Sequence, residues 1–129
     1  KPWTAGIRDP RGGPDVPFAT LQLEDHAFST AGDYERFFFL DGKRYHHILD
    51  PRTGYPATAA RAVTIYAKTA LLADALDDAV LILGPAAGLK LLAKYPDVGA
   101  VIVDSQNRVT ITPNLKSRVI LRHPPTDAP

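Results

Sequence analysis

The sequence predicts an α+β fold in which an antiparallel or mixed sheet packs with two consecutive helices. Two β-prone runs flank Asp41-Gly42, which is a strong hairpin signal. From Thr69 the apolar residues recur at the three- and four-residue steps of a helix. Strand-like runs resume at Val98, so the chain contains only one helical region, which argues against a doubly wound sheet.

Strands are predicted throughout the first half of the chain, separated by turn-forming Pro, Gly and Asp residues. The predicted strands are 3–7, 18–23, 36–40, 43–49 and 61–67. Residues 26–33 are small and polar and predict a loop, and residues 50–56 predict a turn-rich loop that leaves the second hairpin strand.

The helical region begins with Thr69, whose hydroxyl can accept a free backbone N–H at the first turn. The first helix is expected to end at Gly84, and Pro85 is suited to the first position of a second helix that reaches Tyr95. The remaining predicted strands are 98–103, 109–112 and 118–122. We therefore assign residues 1–122 to one domain and expect the Pro-rich residues 123–129 to form a frayed tail.

Composition excludes several classes of protein. The 129 residues carry 15 Lys and Arg against 14 Asp and Glu, so the net charge of +1 gives no electrostatic case for nucleic-acid binding. The absence of cysteine excludes disulfides, thiolate metal sites and a cysteine nucleophile. No P-loop, Gly-x-Gly-x-x-Gly, His-Glu-x-x-His or Gly-x-Ser-x-Gly motif is present.

Three aspartates cluster in the first predicted helix. Asp74 and Asp78 are four residues apart and stack on one helix face, with Asp77 beside that edge. The three carboxylates either form a solvated acidic stripe, or a hard cation such as Mg²⁺ or Ca²⁺ offsets their repulsion through oxygen ligands. The spacing alone leaves both interpretations open.

Two adjacent histidines, His46 and His47, lie in the second predicted hairpin strand. Neighbouring side chains of a strand point to opposite faces, so only one of the two rings can face a given cleft. Either ring could be a general base or a metal ligand. The alternative is a structural histidine bonded to a loop carbonyl.

Two loops have residues suited to phosphate. In the loop 50–54, Arg52 offers a planar set of donors and Gly54 permits close approach of the backbone. In the segment 29–33, the hydroxyl of Thr30 and the backbone at Gly32 could cradle phosphate oxygens. Ordinary turns and loops are the alternative in both places.

These clusters, taken together and in this order, are more specific than any one of them. The segments 29–38, 41–56 and 73–76, followed by Leu83-Gly84-Pro85, closely resemble the ApbE family of FAD:protein FMN transferases. The likeness runs from about residue 3 to residue 111 and is strongest in the stretch from His47 to Gly54. It covers only the C-terminal part of that family.

The resemblance implies a Mg²⁺-dependent enzyme that moves FMN from FAD to a Thr or Ser hydroxyl of a target redox protein. His47 matches the family's important histidine, and Asp74 matches its metal-binding aspartate. Asp78 stands where the family usually has a metal-binding threonine, so the effect on metal preference and transfer is open. The residues expected to contact FAD are Thr30, Gly32, Arg52, Thr53 and Gly54.

The N-terminal part of the family has no counterpart in these residues. The chain is therefore expected to be a fragment, or one half of a split protein, that needs its N-terminal half. The resemblance also implies a place at the periplasmic side of a bacterial cell envelope, with a lipid anchor on the missing N-terminus. The alternatives are a protein that binds FAD without transfer, a FAD pyrophosphatase that releases FMN and AMP, and an inert structural fragment.

Overall fold

The computed structural model describes residues 1–129 and confirms the α+β class. The chain forms nine strands and two helices, and every pair of neighbouring strands is antiparallel. The strands are β1 (Trp3–Arg8), β2 (Pro17–Leu23), β3 (Ala27–Gly32), β4 (Phe37–Leu40), β5 (Lys43–His46), β6 (Ala60–Ala67), β7 (Gly99–Asp104), β8 (Val109–Ile111) and β9 (Val119–Leu121). The helices are α1 (Ala70–Leu83) and α2 (Pro85–Leu92), and a 3-10 turn spans Pro113–Leu115.

The strands form three sheets. A four-stranded sheet has the order β3-β6-β7-β8, a three-stranded sheet has the order β1-β2-β9, and β4 and β5 form a separate hairpin. Asp41 and Gly42 both have positive φ at the hairpin tip, the backbone that an Asp-Gly turn supplies. This confirms the predicted hairpin.

The four-stranded sheet is the middle layer of the domain. One face packs against α1 and α2, where Ile65 and Ile102 meet Val80 and Leu81. The other face packs against the three-stranded sheet, where residues such as Val101 meet Phe18, Leu21 and Ile7. Strand β6 is therefore buried on both sides, which explains why its apolar residues do not alternate cleanly with polar ones.

The start of α1 is as expected. The Thr69 hydroxyl accepts the Leu72 backbone N–H at 3.3 Å, and Gly84 ends the helix with a φ of 80°. A Cβ at Gly84 would lie 2.8 Å from the Cβ of Ala59, so the two helices join at a point where only glycine fits. No helix of this structure has both the length and the apolar character needed to cross a membrane.

Three local expectations differ from the structure. Residues 27–32 form β3 rather than a loop, and α2 ends at Leu92 rather than at Tyr95. The tail is anchored rather than frayed. The backbone N–H and hydroxyl of Thr126 both bond the buried Asp9 carboxylate, and the Asn107 side chain donates to the Pro125 carbonyl at 2.8 Å.

Candidate active site

The acidic residues of α1 divide between solvent and core. Asp74 and Asp78 are exposed one helical turn apart, whereas Asp77 is buried with 3% exposure. Strand β3 runs beside this part of α1, and the Ser29 hydroxyl donates to the Asp74 carboxylate at 3.3 Å. The small side chains of Ala27, Ser29 and Ala31 point to the face of the sheet that the helices cover. Their partners on β6 belong to the core on that face.

The charges of Asp74, Asp78 and His47 interact across this surface. Loss of water contact raises the pKa of Asp78 above its ordinary value, and the negative charge of Asp74 raises it further. The nearby His47 acts in the opposite direction and lowers it. His47 is therefore close enough to Asp78 for their charges to interact. We call Ser29, His47, Asp74, Asp77 and Asp78 the acidic site.

The two histidines have different environments. His46 is buried, and its Nδ1 accepts the Ile48 backbone N–H at 3.3 Å. Its Nε2 must then carry the proton, which it donates to the Ala57 carbonyl at 2.7 Å. His47 is exposed, and its side chain has no hydrogen bond within the protein. His46 thus fits the role of a structural histidine, and His47 remains available for chemistry.

The loop 50–54 is organised by Asp50. Its carboxylate accepts the backbone N–H of Arg52 and two side-chain N–H groups of Arg52, the closest at 2.7 Å. These bonds lower the pKa of Asp50 and raise that of Arg52. Arg52 Nη2 also lies 3.4 Å from the Ile82 carbonyl, which is one helical turn beyond Asp78. The loop therefore contacts the helix that carries Asp74 and Asp78. Two of the side-chain nitrogens of Arg52 already donate to Asp50.

Thr53 and Gly54 complete the turn. The Thr53 hydroxyl donates to the Asp50 carbonyl at 3.4 Å and accepts the Tyr55 N–H at 3.2 Å. Gly54 has a φ of 73°, and a Cβ there would meet nothing within 4 Å. The backbone at Gly54 is therefore open to an approaching ligand, as the sequence suggests.

The structure does not bring Thr30 and Gly32 to the acidic site. Both lie on the opposite face of β3 from Ser29, since their partners Thr64 and Ala62 face the three-stranded sheet. The Thr30 hydroxyl pairs with that of Thr64 at 2.8 Å. A Cβ at Gly32 would lie 2.3 Å from the ring of Tyr34, so this glycine is needed for packing.

The donor set of the acidic site fits a hard cation. Asp74 and Asp78 offer carboxylate oxygens and Ser29 offers a hydroxyl oxygen, which are ligand types preferred by Mg²⁺. No group of three or more His, Asp or Glu side chains in the 129 residues is placed so that it could hold a metal ion by itself. A cation bound here would take its other ligands from water, phosphate oxygens or further polypeptide.

Asp77 is a buried carboxyl group, although the sequence predicts it only as a neighbour of Asp74 and Asp78. Burial raises its pKa to about 6, and the hydrogen bond from the Asp78 N–H opposes that rise. The Asp78 N–H bond to Asp77 Oδ1 is 2.6 Å long. The sequence signal for burial is its spacing, since Asp77 lies four residues after Ala73 and three before Val80, both apolar.

This buried carboxyl should make stability depend on pH. Its folded pKa of about 6 exceeds the unfolded value of 3.8, so the folded state binds the proton more tightly. Stability should therefore fall as pH rises from about 4 to about 6, by roughly 1–3 kcal/mol, and then level off. The check is urea unfolding in chelator-containing buffer across this range.

Asp77→Asn keeps an oxygen acceptor for the Asp78 N–H but cannot ionise. We expect this variant to flatten the pH dependence and to be more stable than the unmodified protein at pH 7. An equally steep fall in the variant would show that another group causes it.

Comparison with known proteins gives consistent results. The model of the ApbE family matches residues 1–102. A Treponema pallidum protein named FAD:protein FMN transferase is 42% identical over 118 residues, which cover 91% of this chain and 33% of that protein. An Escherichia coli K12 protein of the same name is 40% identical over 85 residues, covering 65% of this chain and 24% of that protein.

Solved structures show the same likeness. The ApbE protein of Thermotoga maritima aligns with a TM-score of 0.80 at 39% identity, over 91% of this chain and 38% of that one. The Pseudomonas stutzeri flavinyl transferase ApbE aligns with a TM-score of 0.69 at 33% identity, over 91% and 36% of the two chains. The chain thus spans about one third of the length of these relatives. The match over most of its residues, in both sequence and fold, shows that this chain belongs to the ApbE family.

Proposed function

We propose that this chain carries the acidic site of a FAD:protein FMN transferase. The observation that supports this most directly is that the charges of His47 and Asp74 both act on the exposed Asp78, and that the loop 50–54 contacts the same helix through Arg52. The names of the relatives supply the reaction: FMN leaves FAD and joins a protein. The acceptor would be a Thr or Ser hydroxyl of a target redox protein.

The reaction exchanges one phosphoester for another. The acceptor oxygen attacks the phosphorus on the flavin side of the FAD pyrophosphate, and the P–O bond to the AMP portion breaks. AMP leaves with the electron pair of that bond, and the hydroxyl proton passes to a base. His47 is the base that we assign, because its ring is exposed and free of other hydrogen bonds.

Asp74 and Asp78, with Ser29 beside Asp74, would hold Mg²⁺. When bound, Mg²⁺ neutralises negative charge on the pyrophosphate oxygens. Asp78 supplies a full negative charge where the resemblance leads us to expect a threonine hydroxyl, which favours cation binding by charge. The backbone at Gly54 and the donors of Arg52 would contact the same phosphates from the neighbouring loop.

The assignment of His47 predicts unequal effects of two substitutions. His47→Ala should lower covalent FMN transfer by roughly 10²- to 10⁴-fold, because the general base is lost. His46→Ala should instead lower the free energy of unfolding by about 1–3 kcal/mol, because the Ala57 carbonyl and Ile48 N–H lose their partner. Transfer is read as flavin fluorescence on the denatured acceptor, and stability by urea unfolding.

The two variants are each other's controls. Equal loss of transfer in both, or loss in His46→Ala alone, would contradict the assignment. Release of free AMP and FMN without any acceptor, at a rate matching the transfer rate, would favour a FAD pyrophosphatase. FAD binding with neither reaction would favour a binding protein.

We further propose that a longer polypeptide, including an N-terminal half, completes the site. The support is that the chain spans about one third of its relatives and that the hairpin is not covered. Phe37, Phe38, Phe39 and Leu40 of β4 are 44–60% exposed, an apolar strand of a kind rarely left in water. If residues 1–129 alone matched the full-length protein in transfer rate, this proposal would fail.

The expected location at the periplasmic side of the bacterial cell envelope, through a lipid anchor, is also a proposal. It rests on the family resemblance alone. Fractionation of cells that produce the full-length protein tests it: we expect the protein in the membrane fraction and accessible to protease added outside the cytoplasm. Recovery in the cytoplasmic fraction would refute it.

A further inference from the structure

A polar cavity of about 270 Å³ lies beside the buried His46, which contributes to its wall. None of the residues of the acidic site lines it. Four cationic side chains and one carboxylate line it: Arg11, Lys43, Arg44, Arg61 and Asp33. We call this the arginine cavity.

The single carboxylate of the cavity is already engaged. Asp33 accepts two parallel bonds from Arg11, at 2.6 and 2.8 Å, and both side chains are at least nine-tenths buried. Because this pair uses both oxygens of Asp33, it leaves the other cations of the cavity without a carboxylate partner among the lining residues. The cationic side chains that line the cavity therefore outnumber its side-chain carboxylates by four to one.

Two side-chain nitrogens of Arg44 lack a hydrogen-bond acceptor. Its Nε and Nη1 are buried and have no hydrogen-bond partner, and only Nη2 is engaged, donating to the Pro129 carbonyl at 2.9 Å. The flat face of the guanidinium lies 4.0 Å from the ring centre of Phe37 and 4.8 Å from that of Phe39. Stacking holds the group in place, while the shielded Nε and Nη1 remain without an acceptor.

Arg61 adds a second available guanidinium. Nη1 donates to the Asn107 side chain at 3.2 Å, and Nη2 lies 3.5 Å from the Asp127 carboxylate, which is 82% exposed. A solvated carboxylate at that distance binds weakly. Burial lowers the pKa of Arg44, and the positive charges of Arg11 and Arg61 lower it further, as expected of cations crowded around too few anions.

We propose that the arginine cavity binds a small multi-oxygen anion, held by Arg44 and Arg61. Such an anion would accept the free N–H groups and offset the positive excess, as guanidiniums commonly do with phosphate and carboxylate. The anion could be inorganic phosphate or the carboxylate of a peptide, since both present the same oxygens. This site is separate from the acidic site and does not rest on the proposed flavin transfer.

Calorimetric titration of the full-length protein tests this site. Inorganic phosphate and acetate are titrated separately, with chelator present and ionic strength held constant with chloride. We expect saturable binding of at least one anion. Saturation by phosphate alone identifies a phosphate site, and saturation by acetate identifies a carboxylate site.

Matched arginine variants locate the binding. Arg44→Gln should lower the affinity for the anion at least tenfold, and Arg61→Gln should lower it at least threefold. Arg122→Gln, an exposed arginine outside the cavity, should leave the affinity unchanged. If Arg44→Gln fails to fold, Arg61→Gln decides the question alone. The proposal is overturned if neither anion saturates the unmodified protein, or if the folded cavity variants bind as well as Arg122→Gln.

Discussion

Asp74→Ala in the full-length protein should reduce covalent FMN transfer by at least 100-fold. Asp74 accepts the Ser29 hydroxyl bond and interacts with Asp78, so its removal takes away one of the two charges proposed to attract the cation. Since Asp74 is exposed, the loss should occur without a loss of stability. The measurement is Mg²⁺-dependent flavin fluorescence on the acceptor protein, with urea unfolding in parallel.

Two other substitutions make this result specific. Asp97→Ala removes an exposed aspartate far along the chain from α1 and should leave transfer unchanged. Asp78→Thr introduces the hydroxyl that the family resemblance leads us to expect and should retain transfer within about tenfold, because a neutral oxygen ligand remains. Full transfer in Asp74→Ala would mean that the exposed acidic face is solvated surface only.

Asp33→Ala should lower the free energy of unfolding by about 3–5 kcal/mol. The substitution leaves the Arg11 guanidinium, whose side chain is 7% exposed, without its carboxylate. Arg11, Asp33 and Arg61 all influence the charge of Arg44. Removal of the Asp33 carboxylate therefore leaves the three arginines to repel one another without a negative charge between them. Urea unfolding followed by circular dichroism measures the change.

An exposed ion pair nearby provides the control. Arg8 and Glu35 approach to 2.9 Å, but the Glu35 side chain is 60% exposed. Glu35→Ala should therefore cost only about 0–1 kcal/mol. Equal costs for Asp33→Ala and Glu35→Ala would show that the buried pair is not the stronger structural element.

The fold could be predicted where local patterns and tertiary structure agree. The Asp41-Gly42 hairpin and the Thr69 cap rely on residues close in sequence, and both form as expected. Strand β3 could not be recognised because its residues are selected by contact with α1. Small side chains at Ala27, Ser29 and Ala31 let the helix approach, and small side chains carry little strand signal.

The site was predictable only in part for a similar reason. Helical spacing places Asp74 and Asp78 together, and strand alternation separates His46 from His47. The bidentate pair of Arg11 and Asp33 joins residues 22 apart, with no periodic pattern to link them. The hydrogen bond from Thr126 to Asp9 joins residues 117 apart, and no local sequence pattern predicts it either.

The most direct test of the acidic site is calorimetric titration of the full-length protein with Mg²⁺, with and without FAD. We expect FAD to tighten Mg²⁺ binding, because its pyrophosphate oxygens would add to the oxygen ligands that Asp74 and Asp78 would offer. We also expect Asp74→Ala to weaken Mg²⁺ binding at least tenfold. Unchanged Mg²⁺ affinity in Asp74→Ala, both with and without FAD, would contradict this proposal.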